Sequence, residues 1–128
     1  MDHRTPRHVL IVEDDDGIRE TLQEILLEEG YAVSVAENGR RALEVLASGR
    51  PLADLIVLDL MMPVMNGQEF RVHQLAHPRW SRIPVVVISA SEPADAWRGQ
   101  VARFVAKPFS LDTILGAVSE NLSGVAQA

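Results

Sequence analysis

Apolar residues alternate along the chain between two patterns. Short apolar runs are typical of strands that are buried on both faces of a sheet. Longer stretches with an apolar residue at every third or fourth position are typical of amphipathic helices, which bury one face. The runs that predict strands cover residues 8–12, 32–36, 55–58, 85–88 and 104–106. The sequence therefore predicts five strands with helical segments between them.

The helical segments are bounded by residues that favour helix ends. In the first segment the apolar residues that share one face are Ile18, Leu22, Ile25 and Leu26. Asp16 is the predicted N-cap of this helix, and Gly30 is predicted to end it because glycine readily adopts the left-handed conformation found there. The third helix has only a weak apolar stripe, formed by Phe70 and Leu75. The helices after the first are predicted between Asn38-Gly39 and Gly49-Arg50-Pro51, over residues 67–75, from Pro93 to Trp97, and from Ser110 onward.

Five consecutive strand–helix units restrict the architecture. Successive parallel strands need crossover helices, and right-handed crossovers place these helices on both faces of one sheet. The predicted fold class is therefore α/β, a doubly wound five-stranded parallel sheet. We expect the domain to cover residues 8–122, with an N-terminal tail over 1–7 and a C-terminal tail over 123–128.

Composition narrows the function classes. A chain of 128 residues that is 47% hydrophobic can bury one core. A net charge of −6 argues against direct binding to nucleic acid, which needs a basic face. The chain has no cysteine, so neither disulfides nor thiolate metal sites can form. The polar start over residues 1–8 and the short apolar runs argue against a signal peptide or a membrane partner. We expect a cytoplasmic domain.

Polar residues gather where the predicted strands end. The first strand is followed by Glu13 and Asp14, the third by Asp59, the fourth by Ser89 and the fifth by Lys107. In open α/β sheets, ligands bind at the carboxyl ends of the strands. Three carboxylates crowded beside one lysine favour a divalent cation, and oxygen ligands favour Mg²⁺ or Mn²⁺ over zinc.

Four short motifs in this order resemble one family. They are 11–14 (IVED), 58–67 (LDLMMPVMNG), 89–90 (SA) and 107–109 (KPF). Together they resemble the response-regulator receiver domain of bacterial two-component systems, over about residues 8–122. The resemblance implies a flavodoxin-like fold with strand order 2-1-3-4-5.

The resemblance also implies the chemistry of the strand ends. Asp59 would be the phosphoacceptor, a carboxylate nucleophile that forms an aspartyl phosphate. The implied cofactor is Mg²⁺, with Mn²⁺ as a substitute. Asp14 and Asp59 would bind the metal directly, Glu13 would act largely through bound water, and Met61 would contribute its backbone carbonyl. Lys107 would neutralise phosphoryl oxygens.

Further residues would couple phosphorylation to a change of state. Ser89 would donate a hydrogen bond to the phosphoryl group, and Phe104 would pack inward in the activated domain. The side chains of Met61 and Ser91 border the path of the water that hydrolyses the aspartyl phosphate, so they would set its lifetime. An apolar Met61 predicts slow hydrolysis.

The implied partners are proteins. The phosphodonor would be a sensor histidine kinase or a histidine phosphotransfer protein, and the output an unidentified downstream protein. A phosphorylation-dependent homodimer is kept open. The domain would be no enzyme beyond catalysing its own phosphorylation and dephosphorylation.

This sequence departs from the commonest family pattern in three ways. Ser89 stands where threonine is more frequent, and Phe104 where tyrosine is frequent. The stretch between Ser89 and Lys107 is about one helical turn shorter than usual, which predicts a shortened fourth helix.

Other interpretations remain open. Taken singly, Asp59, Ser89 and Lys107 are ordinary turn, strand-end and surface residues, and the acidic run from Glu13 is an ordinary solvated helix start. The main alternative function is a flavodoxin-like cofactor-binding domain, which the absence of a glycine-rich phosphate loop disfavours. A second alternative is a pseudo-receiver, an interaction module without phosphorylation.

Overall fold

The strands and helices follow the alternation that the sequence predicts. The computed structural model describes residues 6–48, 52–90 and 100–126, with side chains up to residue 122. The strands are β1 (His8–Val12), β2 (Ala32–Ala36), β3 (Leu55–Asp59), β4 (Val85–Ser89) and β5 (Arg103–Ala106). The helices are α1 (Asp16–Glu28), α2 (Gly39–Ala47), α3 (Gly67–Ala76) and α4 (Leu111–Ala126), with one 3₁₀ turn at Trp80–Arg82. Within these ranges, no helix is long and apolar enough to cross a membrane.

Several predictions fall outside the described residues. They concern the closing of the second helix at residues 49–51, the shortened helix from Pro93 to Trp97, and Ser91. The C-terminal helix, α4, is predicted to begin at Ser110 and begins at Leu111, one residue later.

All five strands are parallel and follow the order β2-β1-β3-β4-β5, as expected for a flavodoxin-like sheet. The register aligns Val12 with Leu58, Asp59 with Ile88, and Ser89 with Ala106. The carboxyl ends of β1, β3, β4 and β5 therefore lie side by side along one edge of the sheet.

Helices cover both faces of the sheet, which explains why the central strands are apolar except at their end residues. Alternate strand residues point to opposite faces. On one face they pack against α1 and α4, in a core whose largest members include Ile11, Leu22, Leu26, Leu55, Ile88 and Ile114. On the other face they pack against α2 and α3, in a core that includes Leu10, Leu46, Ile56, Leu58, Phe70 and Val87. Each fully buried aliphatic side chain stabilises the fold by about 1.5–3 kcal/mol.

The ends of α1 show one confirmed and one wrong prediction. Gly30 has φ 94° and follows the C-cap, as predicted. The N-cap is Asp15 rather than Asp16, because the Asp15 side chain accepts a hydrogen bond from the Ile18 N–H at 2.9 Å. Asp16 lies one residue later, inside the first turn, where its charge favours the helix dipole.

The loop from β3 to α3 is tightly closed. Asn66 and Glu69 form a capping box at the start of α3. The Gly67 N–H donates to the Leu60 carbonyl at 3.0 Å, and a β-carbon at Gly67 would lie 2.5 Å from the carbonyl oxygen of Asp59. Glycine is therefore required at this close approach of two backbones. In the same loop Val64 has φ 68°, a conformation that β-branched residues rarely adopt.

Helix α3 buries a polar residue where an apolar one was expected. Leu75, predicted to belong to its apolar stripe, is 45% exposed, whereas Gln74 is fully buried. The Gln74 amide donates to the carbonyls of Trp80 and Ile83 at 2.8 and 3.1 Å. Its oxygen accepts from Arg71 Nη1 at 2.7 Å, and Arg71 Nη2 donates to the Gln100 carbonyl. This group, Arg71 and Gln74 with those three carbonyls, is called the Gln74 cluster below.

Candidate functional site

The sheet register brings the predicted site residues to one edge of the sheet. Glu13 follows β1 and its N–H still donates to the Ala36 carbonyl at 3.0 Å, which extends the sheet pairing by one residue. Asp59 and Ser89 are the last residues of two neighbouring strands. The Lys107 N–H donates to the Ser89 carbonyl at 2.8 Å, so the lysine also leaves the sheet at this edge.

Three carboxylates converge at the site. Oxygen atoms of Glu13, Asp14 and Asp59 lie within 4.8 Å of one another. Glu13 and Asp59 are buried, and Asp14 is exposed. Glu13 Oε2 accepts a hydrogen bond from the Asp15 N–H at 3.0 Å, and Asp59 Oδ1 accepts from the Met61 N–H at 3.3 Å. The cluster is therefore closed on the protein side and open to solvent through Asp14.

Lys107 faces the buried carboxylates. Its Nζ lies 2.7 Å from Oε1 of Glu13 and 3.5 Å from Oδ2 of Asp59, and the side chain is 17% exposed. The peptide bond between Lys107 and Pro108 is cis. One ammonium group therefore stands against three carboxylates.

This arrangement shifts the pKa values of Glu13, Asp59 and Lys107. Burial raises the pKa of Glu13 to about 7, against the lowering effects of Lys107 and the Asp15 N–H. Burial also raises the pKa of Asp59, and Lys107 only partly offsets it. Burial alone would lower the pKa of Lys107, but the hydrogen bonds and charges of Glu13 and Asp59 outweigh it and raise that pKa. The pocket holds more negative than positive charge, and a bound cation would supply the positive charge that Lys107 alone does not.

The donor set fits a hard divalent cation. Carboxylate oxygens from Glu13, Asp14 and Asp59 are close enough to surround one ion, and Mg²⁺ prefers such ligands together with water. Asp14 is exposed and therefore leaves a path for water. The residues present therefore fit the magnesium ion that the sequence predicts.

The other predicted residues take different positions around this pocket. Ser89 is buried at the end of β4. Phe104 is half-buried on edge strand β5 and packs against the α2–α3 core. Met61 is 68% exposed at the rim, and Ser91 lies outside the described residues.

Sequence reasoning missed two residues that shape the site. Asp15 caps α1 and also donates its N–H to Glu13. Arg19 donates from Nη1 to the carbonyls of Glu13 and Asp14 at 2.9 and 3.4 Å. The available signal for Arg19 was a cation near the start of a predicted helix, three residues after the end of an acidic run.

Comparison with known proteins assigns the family. The profile described as "Response regulator receiver domain" matches residues 9–119. The chain is a response-regulator receiver domain. It is 36% identical over 114 residues to the response regulator MprA of Mycolicibacterium vanbaalenii, an alignment that covers 86% of this chain and 48% of MprA. The receiver chain thus spans about half the length of the curated relatives it matches.

Solved structures of receiver domains share the fold. The receiver domain of a signal transduction histidine kinase from Syntrophus aciditrophicus superimposes with a TM-score of 0.83 at 34% identity, covering 95% of this chain and 94% of that one. The response regulator TrrA from Thermotoga maritima, in complex with Mg²⁺-BeF, superimposes with a TM-score of 0.73 at 30% identity, covering 90% and 98%. The chain therefore belongs to the phosphorylation-dependent signalling domains of two-component systems, whose members interact with histidine kinases and downstream effectors.

Proposed function

We propose that this receiver accepts a phosphoryl group on Asp59 in a Mg²⁺-dependent reaction and thereby switches its contacts with other proteins. The observation that carries the proposal is the pocket formed by Glu13, Asp14, Asp59 and Lys107, in which three carboxylates face one ammonium. A buried excess of negative charge is costly unless a cation joins it.

The proposed reaction is a transfer between two nucleophiles. A carboxylate oxygen of Asp59 attacks phosphorus, the bond from phosphorus to the donor's nitrogen or oxygen breaks, and the donor leaves with that electron pair. The Lys107 ammonium, 3.5 Å from Asp59 Oδ2, neutralises charge on the transferred oxygens. The Ser89 hydroxyl at the end of the adjacent strand donates a hydrogen bond to the product.

The metal would be held by residues at two strand ends. Asp14 and Asp59 bind it directly, Glu13 holds its water ligands, and the backbone carbonyl of Met61 completes the protein's share. When bound, Mg²⁺ lowers the cost of bringing a negatively charged phosphoryl group to a carboxylate. Mn²⁺ has the same preference for oxygen ligands and serves as a probe.

The switch would run from Ser89 to Phe104. Phosphorylation adds a charge of about −1.5 to −2 and strong acceptors beside Ser89 and Lys107. The backbone bond between Lys107 and Ser89 ties the two strand ends together, so a shift at Ser89 reaches β5, where Phe104 is only half-buried. We expect beryllofluoride to change hydrogen exchange most over residues 89–107.

The decisive experiment is phosphorylation by acetyl phosphate. With Mg²⁺, intact-protein mass spectrometry should show one added phosphoryl group, and Asp59→Ala should show none. Asp14→Asn should also abolish the reaction with the fold intact, since Asp14 is an exposed residue outside β1. Asp16→Asn, two residues later at the exposed start of α1, is the matched control and should react normally. No mass shift in the wild-type protein would favour the pseudo-receiver interpretation.

The partners belong to the same proposal. The donor is a sensor histidine kinase or a histidine phosphotransfer protein, and the output is a protein contact, with a phosphorylation-dependent homodimer as one form of it. Profiling of phosphotransfer against purified kinases identifies the donor as the one with the fastest transfer. Sedimentation with and without beryllofluoride tests the dimer.

A further inference from the structure

We propose that Arg19 is a positioning residue: its guanidinium holds the turn between β1 and α1 so that Glu13 and Asp14 present their carboxylates to a divalent cation. This inference rests on the proposed metal-dependent function. It concerns a residue of α1 that has no contact of its own with the carboxylates of Glu13 or Asp14 among the described interactions.

The geometry joins one side chain to the backbone of both acidic residues. Arg19 Nη1 donates to the carbonyl of Glu13 at 2.9 Å and, over a longer 3.4 Å, to the carbonyl of Asp14. Nη2 forms an ion pair with Oδ1 of Asp16 at 2.5 Å. The Arg19 side chain is only 17% exposed, although its partner Asp16 is 80% exposed. The guanidinium therefore lies in the turn rather than in solvent.

The turn needs such a tie because the sheet ends there. The last backbone pairing of β1 to its neighbour β2 is made by the Glu13 N–H. The carbonyls of Glu13 and Asp14 point to the helix side, where the guanidinium reaches them. Fixing two successive carbonyls fixes the peptide planes between them, and hence the directions of both side chains. The planar guanidinium holds its N–H donors in one fixed geometry, so the orientation that meets the two carbonyls also fixes the pairing with Asp16, whereas the donors of a lysine ammonium rotate about a single bond.

The opposite end of the turn is anchored to α1. The Arg19 N–H donates to the carbonyl of Asp15 at 2.9 Å, and Asp15 caps the helix through Ile18. Asp15 also donates its own N–H to Glu13 Oε2. The side chain and the backbone of Arg19 are thus bonded to opposite ends of the same turn. The hydrogen bonds form a closed ring that contains Glu13 and Asp14.

A simpler role for Arg19 predicts the opposite effect on metal binding. If it acted only through its positive charge, Arg19 would repel a cation, and its removal would tighten binding. If it positions the turn, its removal loosens the ligands and weakens binding. Residues that orient metal ligands typically change metal affinity by about 10–100-fold when mutated. The sign of the change therefore separates the two roles.

The experiment measures Mn²⁺ binding to the whole chain without a phosphodonor. Electron paramagnetic resonance of free Mn²⁺ gives Kd directly for the wild type, Arg19→Gln and Arg19→Lys, and the melting temperature is recorded for each. We expect Kd to rise about tenfold in Arg19→Gln. Arg19→Lys keeps the charge but loses the fork, so we expect it to bind less tightly than the wild type and more tightly than Arg19→Gln.

Two matched controls remove other surface interactions. Asp16→Asn removes the ion pair but leaves the carbonyl bonds. Arg41→Gln removes an exposed arginine of α2 whose ion-pair partners are Glu44 on the same helix and Glu37 just before it. Both should keep Kd within about twofold of the wild type, as expected for exposed ion pairs.

The outcomes separate this inference from the function on which it rests. Tighter binding or an unchanged Kd in Arg19→Gln, with normal wild-type binding, overturns the positioning role alone. A wild-type protein that binds no Mn²⁺ overturns the metal-dependent function and the inference with it. If Arg19→Gln does not fold, Arg19→Lys decides: a Kd equal to that of the wild type rejects positioning.

Discussion

Two groups of buried polar side chains in this molecule are built in opposite ways. The site places the carboxylates of Glu13 and Asp59 against one lysine, and Asp14 adds a third negative charge. The Gln74 cluster carries a single charge, on Arg71, and its amide reaches two backbone carbonyls. Both groups belong to helices or strand ends around the same sheet.

The difference shows what each group is for. In the Gln74 cluster the donors of the side chains meet acceptors of the chain itself, although the Nε of Arg71 is buried without a hydrogen bond within the described residues. Such matching stabilises the fold. In the site three carboxylates face one ammonium, so the charges do not balance, and a bound cation would supply the missing positive charge. An excess of negative charge is therefore the feature that distinguishes the site from the Gln74 cluster.

The largest effect on the free energy of unfolding is expected from a change in the Gln74 cluster. Replacing Gln74 with alanine removes the side-chain donor of the buried Ile83 carbonyl and one of the two donors of the Trp80 carbonyl, and it creates a cavity. We expect the free energy of unfolding to fall by about 3 kcal/mol. Urea titration measures it. Gln68→Ala, an exposed glutamine on the same helix, should change stability by less than about 0.5 kcal/mol.

The site should behave in the opposite way, because its charge costs stability. The pKa of Glu13 is raised from 4.5 to about 7 by burial. Below pH 4.5 the Glu13 carboxyl is protonated in both the folded and the unfolded state, so its ionisation does not lower the free energy of unfolding. As pH rises from 4.5 to 7 the unfolded state releases the proton first, so stability falls; above 7 the loss is complete.

Glu13→Gln isolates this contribution. Without divalent cations we expect the variant to equal the wild type at the acid end of that range and to exceed its stability by about 1–3 kcal/mol above it. Urea titrations of both proteins at the two ends of the range provide the test. A wild type that gains stability relative to Glu13→Gln as pH rises would mean that Lys107 fully compensates the buried carboxylate.

A smaller effect is expected at the rim, on the lifetime of the phosphorylated state. Met61 is exposed beside Asp59, and its thioether is a weak acceptor that cannot orient a water molecule. We expect Met61→Asn to hydrolyse the aspartyl phosphate about tenfold faster, roughly 1.4 kcal/mol in barrier. The decay of phosphorylated protein after donor removal, in excess Mg²⁺, measures it. Equal decay rates would make Ser91 the next residue to test.

The smallest effect concerns backbone strain in the loop of the site. Val64 is 73% exposed at φ 68°, so glycine there would relieve strain at little loss of burial. We expect Val64→Gly to stabilise the protein by about 1 kcal/mol. Val72→Gly, an equally exposed valine inside α3, should destabilise it by a similar amount. Thermal melts of both variants show whether the two signs differ.

The sequence was informative where side-chain type alone determines structure. The strands and their parallel direction follow from the apolar runs and from the alternation of strands and helices, whereas the strand order was implied by the resemblance to receiver domains. The gathering of Glu13, Asp59 and Ser89 at one edge follows from parallel topology. The N-cap was misplaced by one residue because Asp15 and Asp16 are chemically the same, and only the backbone decides between them.

The missed features share a physical cause. The side chains of Gln74 and Arg19 donate hydrogen bonds to backbone carbonyls. Because every residue has a backbone carbonyl, the pattern of side chains along the sequence cannot predict which one will be the acceptor. Gln74 also occupies a buried helical position that polar residues seldom take. The positive φ of Val64 is set by the closed loop around it, since its residue type argues against that conformation.

The close approach of Gly67 to Asp59 limits how this chain can vary in length. The Gly67 N–H donates to the Leu60 carbonyl, and the backbone of Gly67 lies so close to the Asp59 carbonyl that no β-carbon would fit between them. The residues between Leu60 and Gly67 therefore form a closed ring with a fixed number of residues. An added or deleted residue in that ring would either detach α3 from the phosphoacceptor strand or rotate its capping box out of place. Exposed side chains such as Met61 and Val64 can be exchanged without opening this ring, whereas the number of residues in it cannot change.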